Sequence, residues 1–395
     1  MDWHLITCEY PPQSGGISDY SKLVATGLAA EGETVHVWCP SSSAPAAVSN
    51  GAAPLKEELP AGISGVVVHR ELGQMSSTEL RRVGKMLDNF PAPRRTLVQW
   101  VPHGYGYKSM NLPFCWWLWK RAKLKRDQIE IMVHEPFLGF EGSGKQNLVA
   151  FVHRIMMVTL LTAARRVWVS IPLWETCLRP FALGRERAFG LLPVPSNIPV
   201  VDDPDGILKL RTRYAPLEAF LVGHFGAYDR YMTDLMLELV PSLLTQHDKL
   251  SILLLGKGSL ELRKLLIEEH PHLGPRVHAT GALSGEDVSR HISACQVMLQ
   301  PYEDGVSGRR GSVMAALAHG VAVVTTMGKA TERCWAESEA VKLAKVGDIT
   351  GMVEAVGTLM ADAVERSRLS VAGRGLYNER FDVKRTIAGL REAVA

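Results

Sequence analysis

The sequence has few of the features that mark metal-binding, secreted or membrane-spanning proteins. Only six of its 395 residues are cysteine, and no two of them form a C-x-x-C pair. Such scattered cysteines are typical of buried free thiols and argue against a zinc site or a disulfide framework. No segment approaches the roughly 18 uninterrupted apolar residues of a membrane span, and no basic segment followed by an apolar one opens the chain. We therefore expect a cytoplasmic protein without a bound metal.

The composition is that of a folded protein with more than one domain. Hydrophobic residues make up 46% and charged residues 22% of the chain, as in ordinary globular proteins. A chain of 395 residues exceeds the size at which one hydrophobic core keeps growing, so two domains are expected. Residues 1–200 carry 21 Lys and Arg against 16 Asp and Glu. This mildly basic half suits an anionic substrate, such as the acceptor of a transferred group, or a membrane surface.

Apolar segments of strand length alternate with longer amphipathic segments in both halves of the chain. In the first half they lie at residues 5–8, 35–38, 66–69, 97–101, 131–134 and 167–170. In the second half they lie at residues 220–223, 250–255, 277–280, 297–300, 322–326 and 340–342. Apolar strands that alternate with helices predict an α/β fold, with a parallel, doubly wound Rossmann-like sheet in each half.

A proline-rich segment separates the two predicted domains. Residues 191–199 contain three prolines and are followed by the turn-forming residues 202–206, and prolines this dense cannot join a helix or a central strand. We predict an N-terminal domain at 1–200 and a C-terminal domain at 201–380. The apolar stripe of residues 381–395 predicts a final helix that packs back on the first domain.

Ligands of open α/β sheets bind beyond the carboxyl ends of the strands, so the loops there are the candidate sites. Gly15 and Gly16 follow the first strand, and their backbone N–H groups are expected to approach a phosphate at a helix N-terminus; an ordinary turn is the alternative. His134 and Glu135 end another strand, where they are placed to contact a sugar hydroxyl or to orient a leaving group. A hydrogen-bonded core histidine is the alternative there.

Glycines also follow two consecutive strands of the second half. Because glycine removes side-chain bulk beside a nucleotide, we assign nucleotide contacts to Gly223, Phe225, Gly226 and Gly256. Lys257 is expected to neutralise a diphosphate.

The segment 301–312 is the most distinctive of the chain, since Arg309 and Arg310 stand among glycines at the start of a predicted helix. Two arginines at a helix N-terminus form a strong anion site. We assign them a catalytic role and assign ligand binding to Asp304, Ser307, Gly308, Gly311 and Ser312. The alternative is a solvated loop in which the arginines pair with Glu303 and Asp304.

Four segments together resemble the retaining family 4 glycosyltransferases of the GT-B fold. They are the P-P…G-G-I loop at 11–17, the strand end at 133–135, the P-S-N-I segment at 195–198 and A-L-A-H-G-V-A-V-V at 316–324. The resemblance implies two facing Rossmann-like domains with an interdomain cleft, a nucleotide diphosphate sugar as donor and no further cofactor. The domain at 1–200 would then be the acceptor domain and the domain at 201–380 the donor domain. Gly15 and Gly16 would face the donor diphosphate, and His134 would lie beside the donor sugar.

The chain departs from this family at two acidic positions. The family usually has two glutamates separated by seven residues, and Ser307 and Ala315 stand at these positions. The second of these glutamates binds the donor ribose in the family. The family's usual Arg and Lys after the first strand of the second domain are also not evident in 223–230. Our hypothesis is that Arg309, Arg310 and Lys257 supply the positive charge for the departing diphosphate, without a metal.

Other functions stay open at this stage. A nucleotide-sugar 2-epimerase shares the fold, and a scaffold that binds nucleotide sugars without catalysis is compatible with the missing glutamates. An NAD-dependent enzyme is disfavoured because the segment 256–258 lacks the third glycine of the dinucleotide fingerprint. Expected partners are a nucleotide sugar and a small-molecule, glycan or lipid-linked acceptor, with no nucleic acid.

Two aromatic segments of the first half are further candidates for binding. Residues 112–126 combine three tryptophans with five basic residues, which predicts either a buried helix or a peripheral contact with a membrane, at its inner face. Residues 99–107 follow a strand, and their aromatic rings are candidates for stacking on an acceptor sugar.

Overall fold

The computed structural model describes residues 2–13, 15–41, 55–56, 65–106, 109–140, 142–184, 188–216 and 219–392. The chain divides into two compact units. Unit 1 comprises Met1–Pro193 and Val383–Ala395, and unit 2 comprises Val194–Asp382.

Unit 1 is built on one sheet whose strands run in the order β3-β4-β2-β1-β5-β6-β7-β8. All neighbouring strands are parallel except β3 and β4. The strands are β1 (Asp2–Ile6), β2 (Thr34–Trp38), β3 (Leu55–Lys56), β4 (Val66–His69), β5 (Arg95–Trp100), β6 (Gln128–Val133), β7 (Arg166–Val169) and β8 (Ala188–Leu191). The helices between them are α1 (Gly16–Ala30), α2 (Ser77–Leu87), α3 (Leu112–Leu124), α4 (Gly144–Ala163) and α5 (Pro172–Leu178).

Unit 2 repeats the same architecture with an entirely parallel sheet in the order β11-β10-β9-β12-β13-β14. Its strands are β9 (Phe220–Phe225), β10 (Leu250–Leu255), β11 (Val277–Ala279), β12 (Val297–Gln300), β13 (Ala322–Met327) and β14 (Lys342–Lys345). Its helices are α6 (Pro204–Tyr214), α7 (Arg230–Gln246), α8 (Ser259–Glu269), α9 (Gly285–Ala294), α10 (Gly311–Ala318), α11 (Arg333–Glu337), α12 (Ile349–Ala361) and α13 (Ala363–Leu376). The predicted pair of Rossmann-like, doubly wound sheets is confirmed.

The parallel sheets form because their strands are apolar on both faces. In β10 every residue is buried, with Leu253 and Leu255 in the core on one face and Ile252 and Leu254 in the core on the other. Burial on both faces is what helices on each side of a parallel sheet require.

The first unit ends at Pro193 rather than at residue 200. The amide of Val194 donates to the carbonyl of Gly308 at 2.7 Å, the amide of Ser196 lies 3.3 Å from the hydroxyl of Tyr377, and Ile198 is part of the core of unit 2. The part of the proline-rich segment from Val194 onward therefore packs as part of unit 2.

The last helix, α14 (Val383–Arg391), packs within unit 1. Ile387 lies so close to Gly27 of α1 that a methyl group at Gly27 would be 2.7 Å from it. The guanidinium of Arg95, at the start of β5, donates to the carbonyl of Leu390 and pairs at 2.5 Å with the buried carboxylate of Glu130. This contact ties the end of the chain to the first sheet.

Candidate functional site

The strand order of each sheet reverses at one point, and open α/β sheets bind ligands there. In unit 1 the reversal lies between β1 and β5, and in unit 2 it lies between β9 and β12. The loops after these strands are the glycine loop before α1, residues 101–105, residues 226–229 and the segment 301–310. Three of these loops carry residues that the sequence assigns to donor binding or catalysis, and residues 101–105 belong to the predicted acceptor segment.

In unit 1 the carboxylate of Glu9 occupies the N-terminus of α1. Its Oε1 accepts hydrogen bonds from the amides of Ile17 and Ser18, each at 2.9 Å. A methyl group at Gly15 would collide with this carboxylate, whereas nothing lies within 4 Å of the equivalent point at Gly16. A side chain at position 15 would therefore have to displace the Glu9 carboxylate from these amides, and an anion can bind them only by displacing Glu9 as well.

His134 lies directly after β6 and is buried. Its Nε2 is 2.8 Å from Oε1 of Gln99, and because a carbonyl oxygen only accepts, Nε2 carries the proton. The ring also packs edge-on against Tyr20 at 4.7 Å. Burial lowers the pKa of His134 to about 3. The imidazole is therefore neutral at physiological pH, with Nδ1 as its acceptor.

The neighbouring Glu135 is half-exposed, and its carboxylate lies 3.8 Å from Nδ1 of His103 in the loop after β5. The prediction that aromatic rings of the segment 99–107 stack on an acceptor sugar is corrected for Trp100 and Tyr105. Trp100 and Tyr105 are fully buried in the core of unit 1, and their rings stack on each other at 5.4 Å. They cannot stack on an acceptor, and Tyr107 lies outside the described residues.

In unit 2 the segment after β12 forms the most highly charged part of the candidate site. Oδ2 of Asp304 lies 2.5 Å from the guanidinium of Arg309, and its other oxygen contacts Arg310. Burial raises the pKa of Asp304, but the charges of Arg310 and Arg309 outweigh it and hold this pKa below its usual value. The alternative of a solvated loop is half right: Asp304 pairs with both arginines, but all three side chains are largely buried.

Several polar atoms around this ion pair hold the loop against the sheet and against α10. The amide of Gly308 donates at 2.8 Å to the carboxylate of Glu332, and burial raises the pKa of that carboxyl. The hydroxyls of Tyr302 and Ser312 lie 2.8 Å apart. Oγ of Ser307 is buried and makes no hydrogen bond with the described residues.

The glycines in and after β9 and after β10 have structural reasons of their own, and Gly223 lies within β9 rather than after it. Gly223 has a packing role, since a methyl group there would lie 2.6 Å from Sγ of Cys295 and 2.7 Å from Sδ of Met298. Gly256 has a φ of 114° and abuts the carbonyl of Gly226, so it allows the loops after β9 and β10 to approach. Phe225 packs partly buried against the core of unit 2, and Lys257 is exposed.

Sequence reasoning did not predict the hydrogen bonds of Glu9 with the amides of Ile17 and Ser18, of Gln99 with His134, or of Glu332 with Gly308. None of them stands in a recognisable motif, although Glu9 follows the first predicted strand and Gln99 opens the predicted acceptor segment 99–107. Ala315, at the family's second glutamate position, is fully buried in the core of unit 2. Among the described residues, no three His, Cys, Asp or Glu side chains are grouped so that they could hold a metal.

Part of unit 2 matches a known protein family. Residues 218–362 match the protein-family model described as glycosyl transferases group 1. No curated protein matches the chain.

Solved structures resemble the chain over nearly its whole length. Sucrose-phosphate synthase from Thermosynechococcus elongatus has a TM-score of 0.70 at 17% identity, covering 98% of this chain and 97% of that one. Anabaena HepE in complex with UDP has a TM-score of 0.68 at 16% identity, covering 99% of each chain. The E. coli structure described as trehalose-6-phosphate bound with UDP-2-fluoro glucose has a TM-score of 0.70 at 12% identity, covering 100% of each chain. This likeness shows the GT-B fold.

Proposed function

We propose that the protein is a retaining glycosyltransferase that moves a sugar from a nucleotide diphosphate sugar to an acceptor. The observation that carries the proposal is the pair of largely buried arginines, Arg309 and Arg310, at the reversal point of the sheet in unit 2. The match of residues 218–362 to a glycosyltransferase family model supports it. The GT-B fold is compatible with it but does not by itself assign a reaction.

The arginines would act on the leaving group. Cleavage of a glycosyl phosphate develops negative charge on the departing oxygen, and preorganised cations stabilise that charge more in the transition state than in the ground state. Asp304 now holds both guanidinium groups. A diphosphate carries more charge than one carboxylate and would replace it, and the buried Oγ of Ser307 offers a further hydrogen bond.

His134 would act as a hydrogen-bonding group rather than as an acid. Because burial lowers its pKa to about 3, the ring is neutral at neutral pH and has no acidic proton to donate as a general acid. Nε2 donates to Gln99, so Nδ1 is the atom available to accept from a sugar hydroxyl. No protein nucleophile is required by this proposal, because in retaining enzymes of this kind the acceptor attacks on the face from which the phosphate leaves.

The first test is thermal stabilisation by a panel of nucleoside diphosphates and their sugars, since a ligand that binds the native state raises its melting temperature. Uridine nucleotides come first in the panel because Anabaena HepE was solved with UDP. A clear shift with one base supports the proposal and identifies the donor nucleotide. No shift with any member would overturn it.

Turnover is then measured as release of nucleoside diphosphate by an Arg309→Ala, Arg310→Ala double variant. We expect a loss of roughly 10²-fold or more in kcat. Arg290→Ala is the matched control, because Arg290 is also largely buried and pairs with Asp203 and Asp287, away from the segment 301–312. Binding without turnover in the unchanged protein would favour the non-catalytic scaffold instead, and NMR of the product anomer tests retention.

A further inference from the structure

The outer face of α3 and α4 is apolar and basic. On α3, Trp116 is 49% exposed; on α4, Leu148, Phe151 and Ile155 are 60%, 55% and 41% exposed. The three residues of α4 are spaced by three and four positions and so lie on one side of the helix. Solitary exposed apolar residues are ordinary, but a group of this kind on adjacent helices marks a contact surface.

The two helices present these residues on the same surface of unit 1. Phe114 and Leu118 of α3 and Met156 and Leu160 of α4 are fully buried in the same core cluster, which also contains residues of the sheet of unit 1. Both helices therefore cover the same face of the sheet, and their opposite sides face outward together. We call the exposed residues Leu112, Trp116, Leu124, Phe140, Leu148, Phe151 and Ile155 the outer apolar patch.

The two helices that carry the outer apolar patch have charges of one sign. Residues 109–126 and 142–166 contain nine Lys and Arg and no Asp or Glu. Lys120, Lys123, Arg126 and Lys145 are exposed, and Nζ of Lys120 lies 5.6 Å above the ring of Trp116. Among the acidic residues between these segments, Asp127 and Glu130 are buried in ion pairs, and the half-exposed Glu135 lies 3.8 Å from His103.

We propose that the outer apolar patch docks on the surface of an anionic lipid bilayer. Tryptophan and aliphatic side chains enter the headgroup region while lysine and arginine meet anionic headgroups, which is how an interfacial helix binds. A second copy of the chain is disfavoured because the patch would oppose its own positive charge. Nucleic acid is disfavoured because Leu148 and Ile155 would find no apolar partner along phosphates.

The contact is peripheral and not a membrane span. α4 is long and apolar enough to cross a bilayer, the one such helix among the described residues. Its inner side, including Ala150, Met156 and Leu160, is however fully buried in the core of unit 1. Crossing a bilayer would remove that core, so α4 can offer only its outer side to lipid.

The test is flotation of the whole protein with vesicles of phosphatidylcholine alone or mixed with phosphatidylglycerol. We expect binding to the mixed vesicles that weakens as salt is raised, since the Debye length shortens. No binding to mixed vesicles at low salt overturns the proposal. Equal binding to both compositions also overturns it, because the basic residues would then play no part.

Two pairs of variants separate this patch from nonspecific adsorption. Leu148→Ser with Phe151→Ser, and separately Lys120→Glu with Lys123→Glu, should each weaken vesicle binding by about tenfold or more. The matched controls are Val364→Ser with Val371→Ser, at positions 81% and 73% exposed on α13, and Lys209→Glu with Lys264→Glu, both exposed in unit 2. These controls should bind as the unchanged protein does.

Other occupants of the patch appear as distinct results of the same experiment. If the lysine variants lose binding but the Leu148, Phe151 variant keeps it, the surface recognises polyanions in general, and the bilayer proposal is wrong. Concentration-dependent dimerisation that the Leu148, Phe151 variant abolishes, without vesicle binding, would assign the patch to a second copy. Because the readout is lipid binding, the result does not depend on the proposed transferase activity.

Discussion

Asp304 lies between Arg309 and Arg310 and contacts both, with its Oδ2 at 2.5 Å from the guanidinium of Arg309. Such a carboxylate fills the position that a phosphate oxygen would take between two guanidinium groups. The arginines that the sequence assigns to the diphosphate are therefore occupied in the protein without ligand. We expect a diphosphate to compete with Asp304 for these guanidinium groups.

Asp304→Asn removes this competing charge. We expect tighter binding of nucleoside diphosphate, by about fivefold to tenfold, because the neutral amide is easier to displace. We also expect a loss of about 1–2 kcal/mol in the free energy of unfolding, since two neighbouring arginines lose their counter-charge. Calorimetric titration and urea unfolding measure the two effects. Weaker diphosphate binding would show instead that Asp304 orients the arginines for the ligand.

Gly15→Ala and Gly16→Ala form a matched pair at the start of α1. A methyl group at Gly15 collides with the carboxylate of Glu9, whereas nothing lies within 4 Å at Gly16. We expect Gly15→Ala to lower the free energy of unfolding by about 1–3 kcal/mol, because the amides of Ile17 and Ser18 lose their acceptor. Gly16→Ala should be neutral or stabilising. Equal effects in urea unfolding would contradict the assigned role of Glu9.

The buried histidines predict that the protein loses stability in acid. Burial lowers the pKa of His134 and of His224 to about 3, below the value of about 6.5 in an unfolded chain. Between these values the unfolded state binds more protons, so stability is complete above pH 6.5 and falls as the pH falls toward 3. The loss is about 1.4 kcal/mol per pH unit for each such histidine. Urea unfolding at pH 7.5 and pH 5 measures it.

Two histidine variants identify the residues responsible for this acid sensitivity. His224→Asn should lose about 2 kcal/mol less stability between pH 7.5 and pH 5 than the unchanged protein. His272 is exposed, and His272→Asn should leave the pH profile unaltered. A profile that is the same in all three proteins would mean that other groups control acid unfolding.

Arg95→Ala tests the attachment of the final helix. Arg95 pairs with the buried Glu130 and donates to the carbonyl of Leu390 in α14. Its loss leaves Glu130 with Trp168 as the donor that remains, at 2.7 Å. We expect unfolding to become easier by about 3 kcal/mol or more, as for a broken buried ion pair. Most of this should return in Arg95→Met with Glu130→Gln, and no recovery would argue that the contact with Leu390 dominates.

Most strands of both sheets could be predicted from apolar runs, and the exceptions show what such runs miss. The segments 66–69 and 250–255 coincide with β4 and β10. β1 instead begins at Asp2 and ends at Ile6, earlier than the run at 5–8, because Asp2 and His4 pair with Thr34 and His36 of β2. Strand pairing across the chain extends a strand into polar residues, and no local pattern records it.

The candidate site could be predicted as a set of loops but not as a set of contacts. The alternation of strands and helices placed 301–312 and the Gly15, Gly16 loop beyond strand ends, and the structure has them there. Which charges meet was not predictable, since Glu303 and Asp304 were equal partners for the arginines by sequence. A separation of five residues in an irregular loop allows many geometries, and packing on the sheet selects one.

The sequence by itself determined the fold class and the position of its charged loops, because apolar periodicity and glycine placement act locally along the chain. Only the tertiary structure decided that Glu9 fills the start of α1, that Asp304 holds both arginines, and that Gly223 is a packing position. It also decided which sides of α3 and α4 stay exposed. These outcomes depend on atoms brought together from distant parts of the chain, and the interactions between such atoms are stronger because they are buried.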